Sequence, residues 1–268
     1  MATLLVTGGT GTLGRPLVDR LLGDGHDVRS LSRRPHTGQE RQRLRVYAVD
    51  LLDGTGLGEA VAGVDAIVHC ATSPAGGDTE AAGRLIAAAK EAAVPHLVYI
   101  SIVGVDRVPL RYYRTKLAVE RLIEDSGLGW SVLRTTQFHH LVLELIKAGA
   151  RSPVLPVPAG LRVQPVEVAE VAARLAELAG GAPAGRVTDL GGPEVLEARD
   201  LVRATLEAGG RRRLLVPLWL PGRTFAAVRQ GGNLTPEHAD GRRTYAEFLA
   251  ERAEGGVPAQ PAGTNSSF

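Results

Sequence analysis

Tyr112 and Lys116 stand four residues apart in the stretch RYYRTKLAVE, so on a helix they share one face. A phenol with an ordinary pKa of about 10 is a poor acid at neutral pH. A neighbouring ammonium lowers that value and can also hydrogen-bond a nucleotide ribose. The pair could therefore protonate a substrate oxygen while holding a cofactor. Tyr113, only three residues from Lys116, reads as a packing residue. Ser101 closes the apolar run LVYIS ahead of the pair.

A second constellation sits at the start of the chain. In LLVTGGTGTLGRPLVDRLL an apolar run enters Gly8, Gly9, Gly11 and Gly14, and a helical pattern begins at once. Glycines at such a turn allow a pyrophosphate to approach the open N–H groups of the helix. About 20 residues on, where an acid would hold the ribose hydroxyl of NAD, the chain reads LSRRPH. Ser32, Arg33 and Arg34 there suit the 2′-phosphate of NADP, which an Asp or Glu would repel. NADP(H) is thus expected in preference to NAD(H). Asp50 and Leu51 are expected beside the adenine, and Cys70, Ala71 and Thr72 at the carboxyl edge of the sheet. Cys70, in an apolar run, reads as a small core residue rather than a nucleophile.

The elements that must position these residues follow from the alternation of short β-branched runs with longer alanine- and leucine-rich stretches. Strands are predicted near 3–7, 26–32, 44–49, 65–70, 96–101 and 129–134, and helices near 12–23, 79–93 and 112–126. Right-handed crossovers then give an α/β fold with a doubly wound parallel sheet. Beyond residue 150, prolines at 153, 156, 158 and 165 break the pattern. Helices near 167–179, 197–209 and 241–253, with short strands such as RVTDL, suggest a small C-terminal lobe. The reading is a dinucleotide domain over 1–150, a partly interleaved substrate lobe over 151–254 and a disordered tail over 255–268. Leu141, Val142, Leu155 and Val157 are expected to make the substrate pocket apolar. The basic run 211–213 reads as a solvated loop or strand entrance.

With 268 residues, 44% of them hydrophobic, the chain can fill a sizeable core. A net charge of +2 with scattered basic residues argues against nucleic acid as a partner. One cysteine excludes an internal disulfide or a multi-cysteine metal site, and no metal is expected. With no targeting segment before Thr3, this points to the cytoplasm. No apolar stretch nears the roughly 20 residues that span a bilayer, so no membrane partner is expected. A small-molecule substrate is the expected partner, with the chain a monomer or homodimer. His139 and His140 could supply an acid or base, the plainer reading being one packed and one exposed at a helix start.

In order along the chain, TGGTGTLG, LSRRP, YISIVGVD, YYRTK, LRTTQFHHLV, VQPVEVAEVAARL and DLGGPEVL resemble the atypical short-chain dehydrogenase/reductase proteins of the NmrA-like, NAD(P)H-binding group. The resemblance runs to about residue 253. It implies a Rossmann core with a small substrate lobe. It also implies pyrophosphate held by Gly8, Thr10, Gly11, Thr12, Leu13 and Gly14, the 2′-phosphate by Arg33, and a reaction centre at Tyr112 and Lys116. Gln137 and Phe138 would close over the nicotinamide, and Gln164 would mark the mouth of the lobe. The wider superfamily usually carries a serine or threonine where this chain has Val103, which leaves Ser101 as the alternative. The implied reaction is hydride transfer from NADPH to a carbonyl, enone or quinone of a small apolar substrate. A non-catalytic NADP(H) sensor and a redox-neutral isomerase, epimerase or dehydratase on the same fold stay open.

Overall fold

A computed structural model describes residues 1–33, 41–73 and 76–254. In chain order its first half comprises β1 (Thr3–Thr7), α1 (Gly14–Gly23), β2 (Asp27–Ser32), β3 (Leu44–Ala48), α2 (Leu57–Val61), β4 (Ala66–His69), α3 (Asp78–Glu91), β5 (His96–Ile102), α4 (Arg111–Glu124) and β6 (Gly129–Thr135). Then follow α5 (His139–Gly149), β7 (Val154–Pro158), β8 (Arg162–Val163), α6 (Val168–Gly180), β9 (Gly185–Arg186), β10 (Leu196–Glu197), α7 (Ala198–Ala208), β11 (Leu214–Leu218), α8 (Arg223–Arg229) and α9 (Tyr245–Glu254). No helix among the described residues is long and apolar enough to cross a membrane.

The chain divides into two compact units. The first, 1–101 with 114–134 and 168–188, holds a seven-stranded parallel sheet in the order β3-β2-β1-β4-β5-β6-β9. Its order reverses between β1 and β4, the switch point at which doubly wound sheets bind ligands. Both strand faces are apolar, as a sheet covered on two sides requires. Leu5, Ile67, Leu97 and Val132 pack with α2, α3 and α4, and the alternate residues Leu4, Val6, Val68 and Val98 are equally inaccessible. Inside this unit Arg134 of β6 and Glu120 of α4 form a two-pronged ion pair, Nε to Oε1 at 2.9 Å and Nη2 to Oε2 at 2.6 Å. Their side chains are 6% and 1% exposed.

The second unit comprises 102–113, 135–167 and, among the described residues, 189–254. One of its cores joins α5, α7 and α9 through Val142, Leu143, Leu201, Tyr245 and Phe248. Another sets Leu155 and Val157 of β7 on Ala198, Val202 and Leu206 of α7. The division departs from the predicted cut at residue 150. Helix α6 packs on α1 and β9 pairs with β6, which draws 168–188 into the first unit, while the segments after β5 and β6 belong to the second. An amphipathic helix reads the same whichever core it joins, so the sequence could not separate these cases. The helices α2 and α8 and the paired strands β7 and β11 also went unread, and α5 was anticipated only as a helix start at His139 and His140; prolines at 156 and 158 masked β7, although proline is tolerated where no ladder bond is needed. The predicted tail 255–268 lies outside the described residues.

Removing the guanidinium of Arg134 would strand the Glu120 carboxylate in the core. Arg134→Met should lower unfolding free energy by roughly 3–5 kcal/mol in urea titrations. A loss within error of zero would mean that the pair is solvated.

Candidate functional site

The turn between β1 and α1 is shaped by glycine contacts that no side chain could make. Gly8 has φ +69°, and a Cβ there would lie 3.0 Å from the backbone of Ala71. A Cβ on Gly14 would lie 2.1 Å from the carbonyl oxygen of Gly8. Thr10, Gly11 and Thr12 are exposed, Leu13 leads into α1 without a side-chain cap, and the first turn of α1 carries no acid. An exposed, carboxylate-free helix start approached by glycine fits a dinucleotide pyrophosphate. Arg33 is exposed immediately after β2, and Arg34 lies outside the described residues.

Beside this turn the ends of β1 and β4 are tied by one hydroxyl. Thr7 Oγ1 accepts N–H bonds from Cys70 and Ala71, both at 3.1 Å, and lies 2.8 Å from His69 Nδ1. With its lone pairs engaged, the hydroxyl gives its proton to Nδ1, which leaves the imidazole protonated on Nε2. Burial, reinforced by the Lys116 charge, pushes the pKa of His69 down to about 3, so the ring is neutral. It stacks on Tyr99 with centroids 5.4 Å apart.

Lys116 reaches the same edge from α4. It is 4% exposed; its Nζ donates to the Ile100 carbonyl at 3.2 Å and lies 4.8 Å from the centre of the Tyr99 ring. Burial pushes its pKa down to about 8, opposed by the charges of Asp78, then Cys70 and Glu120. Cys70 goes the other way: burial raises the thiol to about 12 against the Lys116 charge. Asp78, buried at the start of α3, accepts from Ser73 N at 2.7 Å and from the Thr72 hydroxyl, fixing the segment that follows β4. Gly8, Cys70, Ala71, Thr72 and Lys116, singled out separately in the sequence, thus gather around the β1 and β4 ends. Thr7, His69, Tyr99 and Asp78 complete the cluster and were missed. Thr7 and Asp78 left a trace in the sequence, a hydroxyl just before the glycines and an acid in a first helical turn.

The remaining candidates fall in different surroundings. Ser32 accepts Val49 N through its carbonyl at 2.9 Å, and Asp50 Oδ1 accepts Leu52 N, an Asx turn. Leu51 belongs to the hydrophobic core of the first unit. Ser101 is fully buried, and its hydroxyl meets no hydrogen-bond partner among the described residues. Val103 is equally buried. Tyr112 is half-buried on the first turn of α4, four residues from Lys116. Tyr113 is more than packing: its phenol hydrogen-bonds the side chain of Gln137, and burial raises its pKa.

Gln137 also donates to the Asn233 carbonyl at 3.2 Å, and half-buried Phe138 bridges to Val166 ahead of α5. Gln164 is no open mouth residue. It is fully buried, giving its amide to Gly192 and Thr235 carbonyls and accepting Thr235 N at 2.8 Å. His139 is wholly buried between Tyr245 and Phe248 and meets the Arg243 carbonyl, whereas half-buried His140 pairs with Arg252. Burial lowers the pKa of both. Of the residues expected to line an apolar pocket, Val142, Leu155 and Val157 are core and Leu141 is exposed.

Burial of Lys116 has a sign that can be measured. Its pKa falls from 10.5 to about 8 on folding, so the folded chain releases the proton first, and stability from this site rises as pH climbs from about 8 toward 10.5. Relative to Lys116→Met, the wild type should gain about 2 kcal/mol of unfolding free energy between about pH 7 and about pH 10. Parallel pH curves for the two proteins would contradict a buried ammonium.

Residues 8–179 match a family described as NAD(P)H-binding. A Streptomyces griseus protein named (4-alkanoyl-5-oxo-2,5-dihydrofuran-3-yl)methyl phosphate reductase is 33% identical over 208 residues, which is 74% of this chain and 70% of the relative. Among solved structures, an NADPH-dependent quinone oxidoreductase from Escherichia coli, complexed with NADPH, superposes with a TM-score of 0.80 at 21% identity, covering 93% of this chain and 99% of its own. A nucleoside-diphosphate-sugar epimerase from Staphylococcus aureus gives 0.77 at 17% identity, covering 92% and 99%. These two share the fold. The glycine turn, the switch point and the family match over 8–179 agree, and the chain belongs to the NAD(P)H-binding family.

Proposed function

We propose that the chain is an NADPH-dependent reductase that delivers hydride to an electron-poor carbon of a small enone or quinone, acting in the cytoplasm. The observation that carries this reading is the buried ammonium of Lys116 at the carboxyl edge of β4 and β5, on a helix that presents Tyr112 four residues away. Bound NADPH would supply the hydride. The glycine turn would receive the pyrophosphate, and Arg33 the 2′-phosphate. Lys116 would hold positive charge where the ribose and the acceptor's oxygen meet, and Tyr112 would donate the proton to that oxygen.

Val103 narrows the acceptor. An isolated ketone gains from a second donor on its oxygen, and Val103, where the wider superfamily usually carries that hydroxyl, offers none, which leaves Ser101 as the one serine or threonine in the strand. A carbon already activated by conjugation needs less help. The name of the Streptomyces griseus relative describes such a group, a ring alkene conjugated to oxo and alkanoyl carbonyls. The quinone named for the Escherichia coli neighbour is another.

Purified chain should oxidise NADPH, followed by nicotinamide absorbance, with at least one of a panel of quinones and cyclic enones, and Tyr112→Phe should slow it at least about a hundredfold. Tight NADPH binding with no oxidation by any acceptor would sink the reductase and leave a dinucleotide sensor or a redox-neutral enzyme. Separately, Arg33→Ala should weaken NADPH about ten- to a hundredfold while leaving NADH nearly unchanged. Equal weakening of both would overturn the choice of NADP.

A further inference from the structure

Strands β7 and β11 pair in parallel, with Val154 opposite Leu214 and Pro156 opposite Val216. Their alternation buries Leu155, Val157 and half of Leu215 against α7 and leaves the other face to solvent. Leu214 is 65% exposed, Val216 40%, Leu218 42%, Val154 42%, and Trp219, directly after β11, 65%. A soluble domain seldom leaves this many aliphatic groups on one open sheet face, here with an exposed indole at the strand's end.

Along the two chain segments that carry the face cations predominate, although Glu197 lies beside Val157 and Leu215 and Lys147 is paired with Glu144. Residues 145–166 and 208–236, which contain β7 and β11, hold eight basic residues and no acidic ones in a chain with 31 and 29. Arg211, Arg212 and Arg213 lead directly into β11, Arg151 stands three residues before Val154, and Arg229 lies over the Trp219 ring at 4.2 Å. We infer that the β7–β11 face docks on an anionic lipid surface, Leu214, Val216, Leu218 and Trp219 entering the headgroup boundary and the arginines pairing with lipid phosphates. The inference does not depend on the reaction proposed above.

Other occupants suit the face less well. A second copy would set the same cations against each other. Strand addition by a protein needs a ladder of N–H donors, and Pro156, Pro158 and Pro217 remove them. An acidic protein would need polar groups to fix its register, whereas a bilayer needs none. The sequence suggested no membrane partner because it was searched for a spanning segment. Interfacial docking requires only that an apolar face and its cations share one side, which depends on how β7 and β11 pair.

The full-length chain is to be sedimented with vesicles of phosphatidylcholine alone and of phosphatidylcholine with phosphatidylglycerol. Binding is expected only to the second, weakening with salt, with a blue shift of tryptophan emission that Trp219→Phe abolishes although Trp130 remains. Leu218→Ser combined with Trp219→Ser should abolish sedimentation. Replacing Arg211, Arg212 and Arg213 by Gln should weaken it roughly a hundredfold, with the circular dichroism unchanged. No sedimentation with anionic vesicles overturns the inference, as does binding that survives the Leu218 and Trp219 changes. Self-association, or capture of an acidic protein, that these changes abolish while vesicles stay unbound overturns it equally.

Discussion

The hydroxyl of Thr7 is saturated: two backbone N–H groups point at it and its own proton goes to His69. That arrangement fixes where β4 ends relative to β1, at the place where the strand order reverses and the two loops part to opposite sides. The rest of the cradle depends on it. Gly8 must have no side chain because Ala71, held by Thr7, stands against it, and Gly14 must have none because Gly8 curls back over the helix start. A threonine at the end of an apolar strand thereby sets the curvature of a turn that it does not itself belong to.

Behind that edge the fold keeps few charges and balances them. His69 and Cys70 are held neutral at pH 7 by burial. Lys116, Glu120, Arg134 and Asp78 remain, two of each sign, and three of them lie on or against α4. Each is costly to bury, but the carboxylates nearest Lys116 oppose the loss of its proton. The ammonium is thus kept near its point of titration rather than far from it, a condition suited to a group that responds to charge appearing on a neighbouring oxygen.

The glycine turn and the six main strands were legible because their physics is local: strand, glycines and helix follow one another within twenty residues, and apolar runs declare buried strands. The Lys116 cluster was half legible. Cys70, Ala71 and Thr72 came from their place at a strand end, but Asp78 joins them only through a side chain reaching back six residues, and His69 only through Thr7, sixty-two residues away. Gln164 misled for a related reason. The family resemblance set it at the entry to the lobe, yet its amide serves as a substitute backbone pair between two distant carbonyls and an N–H. Such long-range pairings leave no periodic mark.

The chain passes between its two units five times, and one passage falls inside α4, between Tyr113 and Arg114. Neither unit is therefore a contiguous piece that a gene could lose, duplicate or exchange by a single recombination. A chimera carrying the second unit of a relative needs five junctions, and the one within α4 separates Tyr112 from Lys116. An exchange of units along these boundaries would take the tyrosine from one parent and the lysine from the other.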